Sequence, residues 1–357
     1  MTRRRLHLLA VAGPCRRLLP ALKCKSAEEL IALVQTVVGD GFHVTGEKRL
    51  IESVEDVSIG GRHDDAVRAA DIQQALGDDE VAAVVALRGG SWLTRILPRI
   101  DFEVLKKRRT RIAIFGFSEL STIINITARY DSAVCYYDYC PAFIRPGMMR
   151  YGLQHLDEIT QGRIDDPLEA EVAAGRWAKA QFADRFKEFF RDAVNMLRGG
   201  GSNRSIVGRL VQGALPKTRT ATFAGGNLSV IAALLGTPYD LSLDLKNRWL
   251  LIEDINEWPH RIDRHLAHFS ISGRLADCDG ILVGDFHDEN GDQNEWVISI
   301  LRHHLPAAND LPIVQTAHVG HIWPLSPLPI GRGVPLTLNE SGEVGFRIPW
   351  SELAVVS

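Results

Sequence analysis

Along the first 150 residues, short apolar runs of strand length alternate with stretches whose apolar positions recur at helical spacing. Residues 6–12 form the first such run. The capping box Ser26-Ala27-Glu28-Glu29 then opens a helix that passes through Leu33 and Val37 and stops at Gly41. After a short extended piece from Phe42, the pattern predicts a helix through Val67, Ile72 and Leu76, a strand over 81–87, a helix over 93–105 and a strand over 111–115. This order predicts an α/β domain with a doubly wound parallel sheet, and ligands outside the carboxyl ends of its strands. Two of those ends read Arg88-Gly89-Gly90 and Gly116-Phe117-Ser118.

From about 155 to 222 the chain is charged and predicted mainly helical. Phe182, Phe186, Phe189, Phe190 and Val194 lie close to helical spacing, which predicts a packing face, and Gly199-Gly200-Gly201-Ser202 predicts a mobile linker after it. The same stripe also offers a dimer face, and the segment that carries it a wall or lid for a site. The second half brings Gly225-Gly226-Asn227-Leu228, a strand over 249–252 that runs into Glu253-Asp254, and a helix holding Arg261, Ile262, Arg264 and Leu266. A strand over 280–284, a helix around 296–301 and short β-type pieces over 312–316, 334–338 and 344–348 follow. These predict a mixed α/β domain with a small β layer. At 357 residues the expectation is two domains, 1–150 and 223–357, joined by a helical segment over 151–222.

Composition narrows the partners. With 45% apolar and 24% charged residues and a formal charge of −3, the chain reads as an ordinary globular protein with no electrostatic reason to bind nucleic acid or an anionic membrane. That leaves a small molecule or another protein chain. Residues 1–15 imitate a signal peptide, but the apolar run is short, is interrupted by His7 and leads into Gly13-Pro14, so a first buried strand is the better reading. Five cysteines, odd in number and without paired spacing, favour a reducing cytoplasm over a disulfide framework. No apolar stretch is long enough to span a bilayer.

Ser118 has two readings. As an N-cap it would satisfy an orphan N–H of the following helix. As a nucleophile it would sit on a tight strand-to-helix turn, its hydroxyl exposed beside an N–H able to bind an oxyanion, although Leu120 stands where the second glycine of a G-x-S-x-G pattern would be. A hydroxyl nucleophile needs a base and an acceptor that orients the base. Of the twelve histidines, His303 and His304 fall on a polar helix end, and His265 and His268 share a helix face without an evident third metal ligand. His318 and His321 lie beyond the 312–316 piece, and His321 follows a glycine. Glu253 ends a four-residue apolar run, where a charge needs a partner, either Arg261 or Arg264 or a functional group. Gly89 and Gly90 permit a plain turn or an anion-binding set of N–H groups.

Seven segments in order, GGRHDDAVRAADIQQAL, VAAVVALRGG with RILPRID, GFSELS, GGNLSVIAALLGTPYD, LLIEDINEWPHRIDRHL, ILVGDF and GHIWPLSPLPIG, resemble the LD-carboxypeptidase and microcin-immunity family of serine peptidases. The resemblance implies Ser118 as nucleophile, His321 as base, Glu253 as the residue that orients the base, and the backbone N–H groups of Gly90 and Glu119 as oxyanion donors. Asn227, in the GGNL segment, is a further candidate for substrate binding. The implied activity is cytoplasmic hydrolysis of an amide bond in a small peptide or peptidyl nucleotide, without metal or cofactor, in a chain that could form a homodimer. Release of terminal D-alanine from murein peptides comes first. Cleavage of peptidyl or aminoacyl nucleotides comes second, and an inactive ligand-binding relative third. Three departures bear on specificity: Ser91-Trp92 replaces the family's usual aromatic and glycine, Glu119 replaces its usual aspartate, and residues 136–141 replace its His-Gly-Pro stretch. Arg88 is a candidate for the substrate carboxylate, with a plain salt bridge as its alternative.

Overall fold

The computed structural model describes residues 4–13, 15–51, 64–141, 167–202, 205–215, 220–289, 291–305, 310–323 and 325–356. Strands β1 (Arg5–Leu9), β2 (His43–Gly46), β3 (Val81–Ala86), β4 (Ile112–Phe115) and β5 (Ala133–Tyr137) run parallel in the order β2-β1-β3-β4-β5. Every residue of β3, β4 and β5 is buried, which is why these strands read as unbroken apolar runs rather than as alternating ones. Helix α1 (Ala27–Val38) starts at the capping box, where Ser26 Oγ accepts from Glu29 N at 3.2 Å, and buries Leu30, Val34 and Val38. Helix α2 (Asp65–Gly77) buries Ala69, Ile72 and Leu76. The chain leaves β1 toward β2 on one side and β3 toward β4 on the other, so the order reverses between β1 and β3 and opens a crevice above their carboxyl ends.

In place of the helix expected over 93–105 there are two 3-10 turns, Thr94–Arg99 and Phe102–Lys107. Pro98 lacks an N–H and its ring clashes with the carbonyl four residues back, so a continuous α-helix cannot pass through it. Helix α3 (Ser121–Thr127) follows β4 as expected. Helix α4 (Pro167–Leu197) carries the aromatic stripe, and the stripe is core: Phe186 and Phe190 are fully buried, and Phe189 meets Phe115 and Tyr139 with ring centroids 6.1 and 4.5 Å apart. It is therefore no free dimer face. Nor is the glycine run after it a mobile linker. Gly199 N donates to Met196 O and Gly200 N to Asn195 O, both at 2.9 Å, while Asn195 Nδ2 returns to Gly201 O at 2.8 Å. A Cβ on Gly201 would come 2.8 Å from the Trp350 ring, so the run is a packed helix stop.

The connecting segment is not helical throughout, because β6 (Ile206–Gln212) and β7 (Thr220–Asn227) already belong to the second sheet. With β8 (Trp249–Ile255), β9 (Gly280–Asp288), β10 (Gly291–Asp292), β11 (Ile313–Gln315), β13 (Gly333–Leu338) and β14 (Glu343–Phe346), this sheet has eight strands among the described residues. With the helices of this half it makes the mixed α/β domain expected. The β layer is larger than expected, however, since β8 also pairs with β9 and closes the sheet into a ring of seven strands with β10 appended. Helices α5 (Leu228–Ala232), α6 (Pro259–Ile271) and α7 (Asn294–His304) belong to this half. Strand β12 (Leu328–Ile330) returns to the first sheet and pairs antiparallel with β5, Leu328 opposite Tyr137. The segment between β11 and β12, which contains His321, thus runs from one sheet to the other.

Candidate active site

At the end of β4, Phe117 is extended at φ −159° and takes the cap position, and Ser118 opens a 3-10 turn in the left-handed region at φ 58°. Among the described residues no side chain caps that turn, so Ser118 is not the N-cap that its position suggested. Instead Ser121 Oγ donates to Ser118 O at 2.6 Å and braces the turn from inside. Two glycines make room for it. A Cβ on Gly116 would lie 2.7 Å from Leu120 Cβ, and one on Gly89 would lie 2.7 Å from Ser118 Cβ and 3.2 Å from its Oγ. A left-handed serine costs of order 1–3 kcal/mol and persists where surrounding contacts fix it.

His321 Nδ1 and Glu253 Oε2 are 2.7 Å apart, and the ring of Phe117, next to Ser118 in the chain, lies 4.4 Å from the imidazole, centroid to centroid. Glu253, just before β8 ends at Ile255, is completely buried and His321 is nearly so. The other carboxylate oxygen, Oε1, accepts from Tyr137 Oη at 2.7 Å. Arg261 reaches Glu257 rather than Glu253, so the salt-bridge reading of Glu253 does not hold. Burial alone would push the imidazole down. The Glu253 carboxylate, by charge and hydrogen bond, with Asp254 and Asp285 behind it, carries His321 above its ordinary value. Burial likewise pushes the Tyr137 hydroxyl well up, and the charge on Glu253 adds to that.

Two more acids crowd the same ground. Asp254 accepts from Asn227 Nδ2 at 2.9 Å and from Ser229 N at 2.8 Å, and burial followed by the charge of Glu253 pushes its carboxyl up to about 6. Asn227 also caps α5 through Val230 N at 3.3 Å, so its side chain is committed to holding Asp254 and the helix. Asp138 follows β5 at φ 60°, fully buried, and neither carboxylate oxygen has a hydrogen-bond partner among the described residues. The N–H groups of Gly320 and Ser326 lean toward it and favour its charged form without completing a hydrogen bond, but burial and Glu253 push its carboxyl well above the usual range.

Gly90 lies in the crevice between β1 and β3, where a Cβ would fall 2.0 Å from Ala12 O. The Glu119 side chain has a contact that sequence reasoning missed: its Oε1 accepts from Leu93 N at 2.9 Å and ties the elbow to the glycine turn. Arg88 Nε donates to Gly89 O at 3.1 Å and braces the same turn. Tyr137 and Asp138 were also missed, although both stand in the 136–141 stretch already marked as unusual. Past Glu253, a cavity of about 310 Å³ is lined by Asn256, Glu257, Trp258, Asp288 and Glu289. Among the described residues no group of three or more His, Cys, Asp or Glu side chains could hold a metal ion, and no helix is long and apolar enough to cross a membrane.

The two halves of the chain have known counterparts. Residues 7–137 match the LD-carboxypeptidase N-terminal domain and residues 220–336 the LD-carboxypeptidase C-terminal domain. A probable murein peptide carboxypeptidase of Bacillus subtilis is 28% identical over 289 residues, which span 80% of this chain and 77% of the relative. The muramoyltetrapeptide carboxypeptidase from Oxalobacter formigenes superimposes with a TM-score of 0.57 at 20% identity, over 96% of this chain and 99% of that one. The microcin C7 self-immunity protein in its wild-type apo state gives a TM-score of 0.61 at 11% identity, over 98% and 97% of the two chains. Matched in order over both halves, the chain belongs to the LD-carboxypeptidase family and is a serine-type carboxypeptidase.

Proposed function

We propose that this protein releases the terminal D-alanine of murein tetrapeptides in the cytoplasm by a Ser-His-Glu mechanism. The observation that carries the reading is the buried 2.7 Å contact between His321 and Glu253 beside a serine held in a left-handed elbow. Neutral His321 keeps its Nδ1–H in a hydrogen bond to the Glu253 carboxylate and takes the Ser118 hydroxyl proton at Nε2, becoming imidazolium, as Oγ attacks the carbonyl carbon before D-alanine. The N–H groups of Gly90 and Glu119 bind the developing oxyanion. The imidazolium then protonates the amine and D-alanine leaves; the same imidazole deprotonates a water that attacks the acyl carbonyl, and returns that proton to Ser118 Oγ as the acyl–oxygen bond breaks. Tyr137 holds Oε1, which leaves Oε2 to the imidazole.

The test is release of D-alanine from a purified murein tetrapeptide, read by a coupled D-amino-acid oxidase. Ser118→Ala and His321→Ala should each lower kcat by about 10⁴-fold or more with the circular dichroism unchanged. Wild-type turnover by Ser118→Ala would overturn the assignment. A second reading, hydrolysis of aminoacyl nucleotides, has in its favour that the immunity protein of this fold has been solved with aspartyl sulfamoyl adenosine. Adenylate release from an aminoacyl adenylate analogue, with no D-alanine from the tetrapeptide, would select it.

A further inference from the structure

The glycine turn proposed to bind the oxyanion does not hold itself in place. Ser91 N donates to Ala12 O at 2.9 Å, so the turn rests on the segment that leaves β1. Trp92, next along, sits at φ 65°, a region a bulky side chain rarely adopts. One guanidinium reaches both segments. Arg68, buried on α2, donates from Nη1 to Val11 O at 2.5 Å and from both terminal nitrogens to Trp92 O at 3.4 Å. Its fork is aimed by Asp64 at 3.1 Å on Nε and by Asp65 at 2.7 Å on Nη2, and Asp65 is held in turn by Arg95 at 3.1 Å. All of this lies at the reversal of strand order between β1 and β3.

We propose that Arg68 is a positioning residue of the oxyanion site: by clamping the carbonyls of Val11 and Trp92 it fixes where the Gly90 N–H stands. The inference rests on the reading of Gly90 as an oxyanion donor. A lysine cannot replace the clamp, because a single ammonium lacks the planar fork that meets two carbonyls and two carboxylates at once. Loss of the clamp lets the turn relax, and a displacement near 1 Å costs roughly 100-fold in rate.

The experiment compares wild type with Arg68→Lys in two assays. In the first, kcat for D-alanine release should fall about 10- to 100-fold with KM within about threefold, because the oxyanion forms only in the transition state. In the second, phosphonylation of Ser118 by a fluorophosphonate, which needs the oxyanion site and no murein, should slow by a similar factor. The acid limb of kcat/KM should stay in place, since the base is untouched. If Arg68→Lys fails to fold, Asp65→Asn loosens the fork while keeping the guanidinium, and should give the same pattern at a smaller size. An unchanged phosphonylation rate in a folded variant, or a loss carried by KM alone, would overturn the proposal. Labelling of wild-type Ser118 without D-alanine release would overturn the substrate reading and leave the Arg68 comparison intact. No labelling at all would overturn both.

Discussion

Gly90→Ala puts the oxyanion reading to its most direct test. The added Cβ would lie 2.0 Å from Ala12 O, 2.5 Å from Ala12 C and 3.0 Å from Gly13 N. All three are backbone atoms, so none can swing aside as a side chain would. Reaching ordinary contact requires the turn or the Ala12 segment to retreat by roughly 1 Å, because close-packed interiors have little slack. A misplacement of that size costs about 100-fold in kcat, which at 1.36 kcal/mol per decade is about 2.7 kcal/mol. The figure falls in the range expected for loss of a single oxyanion donor, about 10²- to 10³-fold. Overpacking of this kind also costs about 1–3 kcal/mol of stability, so kinetics are compared at a temperature where thermal denaturation shows the variant folded. Steady-state rates on the tetrapeptide should show the loss in kcat, with KM little changed. A folded Gly90→Ala protein with kcat within about twofold of wild type would refute the argument, for it would mean that nothing forming in the transition state depends on this turn.

Three further outcomes are expected. The base must be neutral to act and Glu253 raises its proton affinity, so kcat/KM should be lost as pH falls through a value above the ordinary 6.5, and Glu253→Gln should move that limb down; a wild-type limb below 6.5 would contradict it. Asp138→Asn should stabilise the fold more at about pH 8 than at about pH 5: burial and the charge of Glu253 raise the native carboxyl well above its unfolded value, so native stability falls as pH rises past the unfolded value, and an equal gain at both pH values would refute this. Ser118→Gly should be more stable than Ser118→Ala by about 0.5–1 kcal/mol, since a left-handed Cβ costs about 1–2 kcal/mol and the looser unfolded chain of glycine returns about 0.4–1 kcal/mol. Chemical denaturation of the two inactive proteins decides it, and a more stable alanine variant would deny the left-handed elbow.

The parallel sheet was legible because its inner strands are buried on both faces, so each appears as an apolar run bounded by helical periodicity. Elements whose identity depends on distant chain were not. Strand β6 has part-buried residues at most positions and gains its place by pairing with β11 and β14, more than 100 residues away in sequence. The three residues of β12 carry no period at all. The glycines at 199–201 read as a linker because a helix stop packed under Trp350 has the same local composition as a loose one. The site divides in the same way. Ser118, Glu253 and His321 were nameable from strand ends and the resemblance to a family. Tyr137 and Arg68 were not, since Tyr137 meets Glu253 across 116 residues and Arg68 meets Val11 across 57.

Backbone strain links these missed residues to the named ones. Among the described residues six non-glycine residues have positive φ, and four of them, Trp92, Ser118, Asp138 and Asn256, follow the carboxyl ends of β3, β4, β5 and β8. Such conformations cost of order 1–3 kcal/mol each and survive where surroundings over-determine them. The determinants are visible at each. Arg68 takes the carbonyl of Trp92, the glycines at 89 and 116 open space at Ser118, Tyr139 N donates to Gly116 O at 3.2 Å just after Asp138, and Asn256 N donates to His287 O at 2.8 Å. A left-handed residue after a strand turns the chain sharply. The four turns stand just past the strand ends that carry the glycine turn, Ser118, Tyr137 and Glu253. His321 reaches Glu253 from the segment that runs from the second sheet to β12, which pairs with β5 in the first. The arrangement is thus fixed by topology and local strain together, and for that reason the polar groups that hold the strained turns, Arg68 foremost, bear on catalysis although the proposed chemistry does not pass through them.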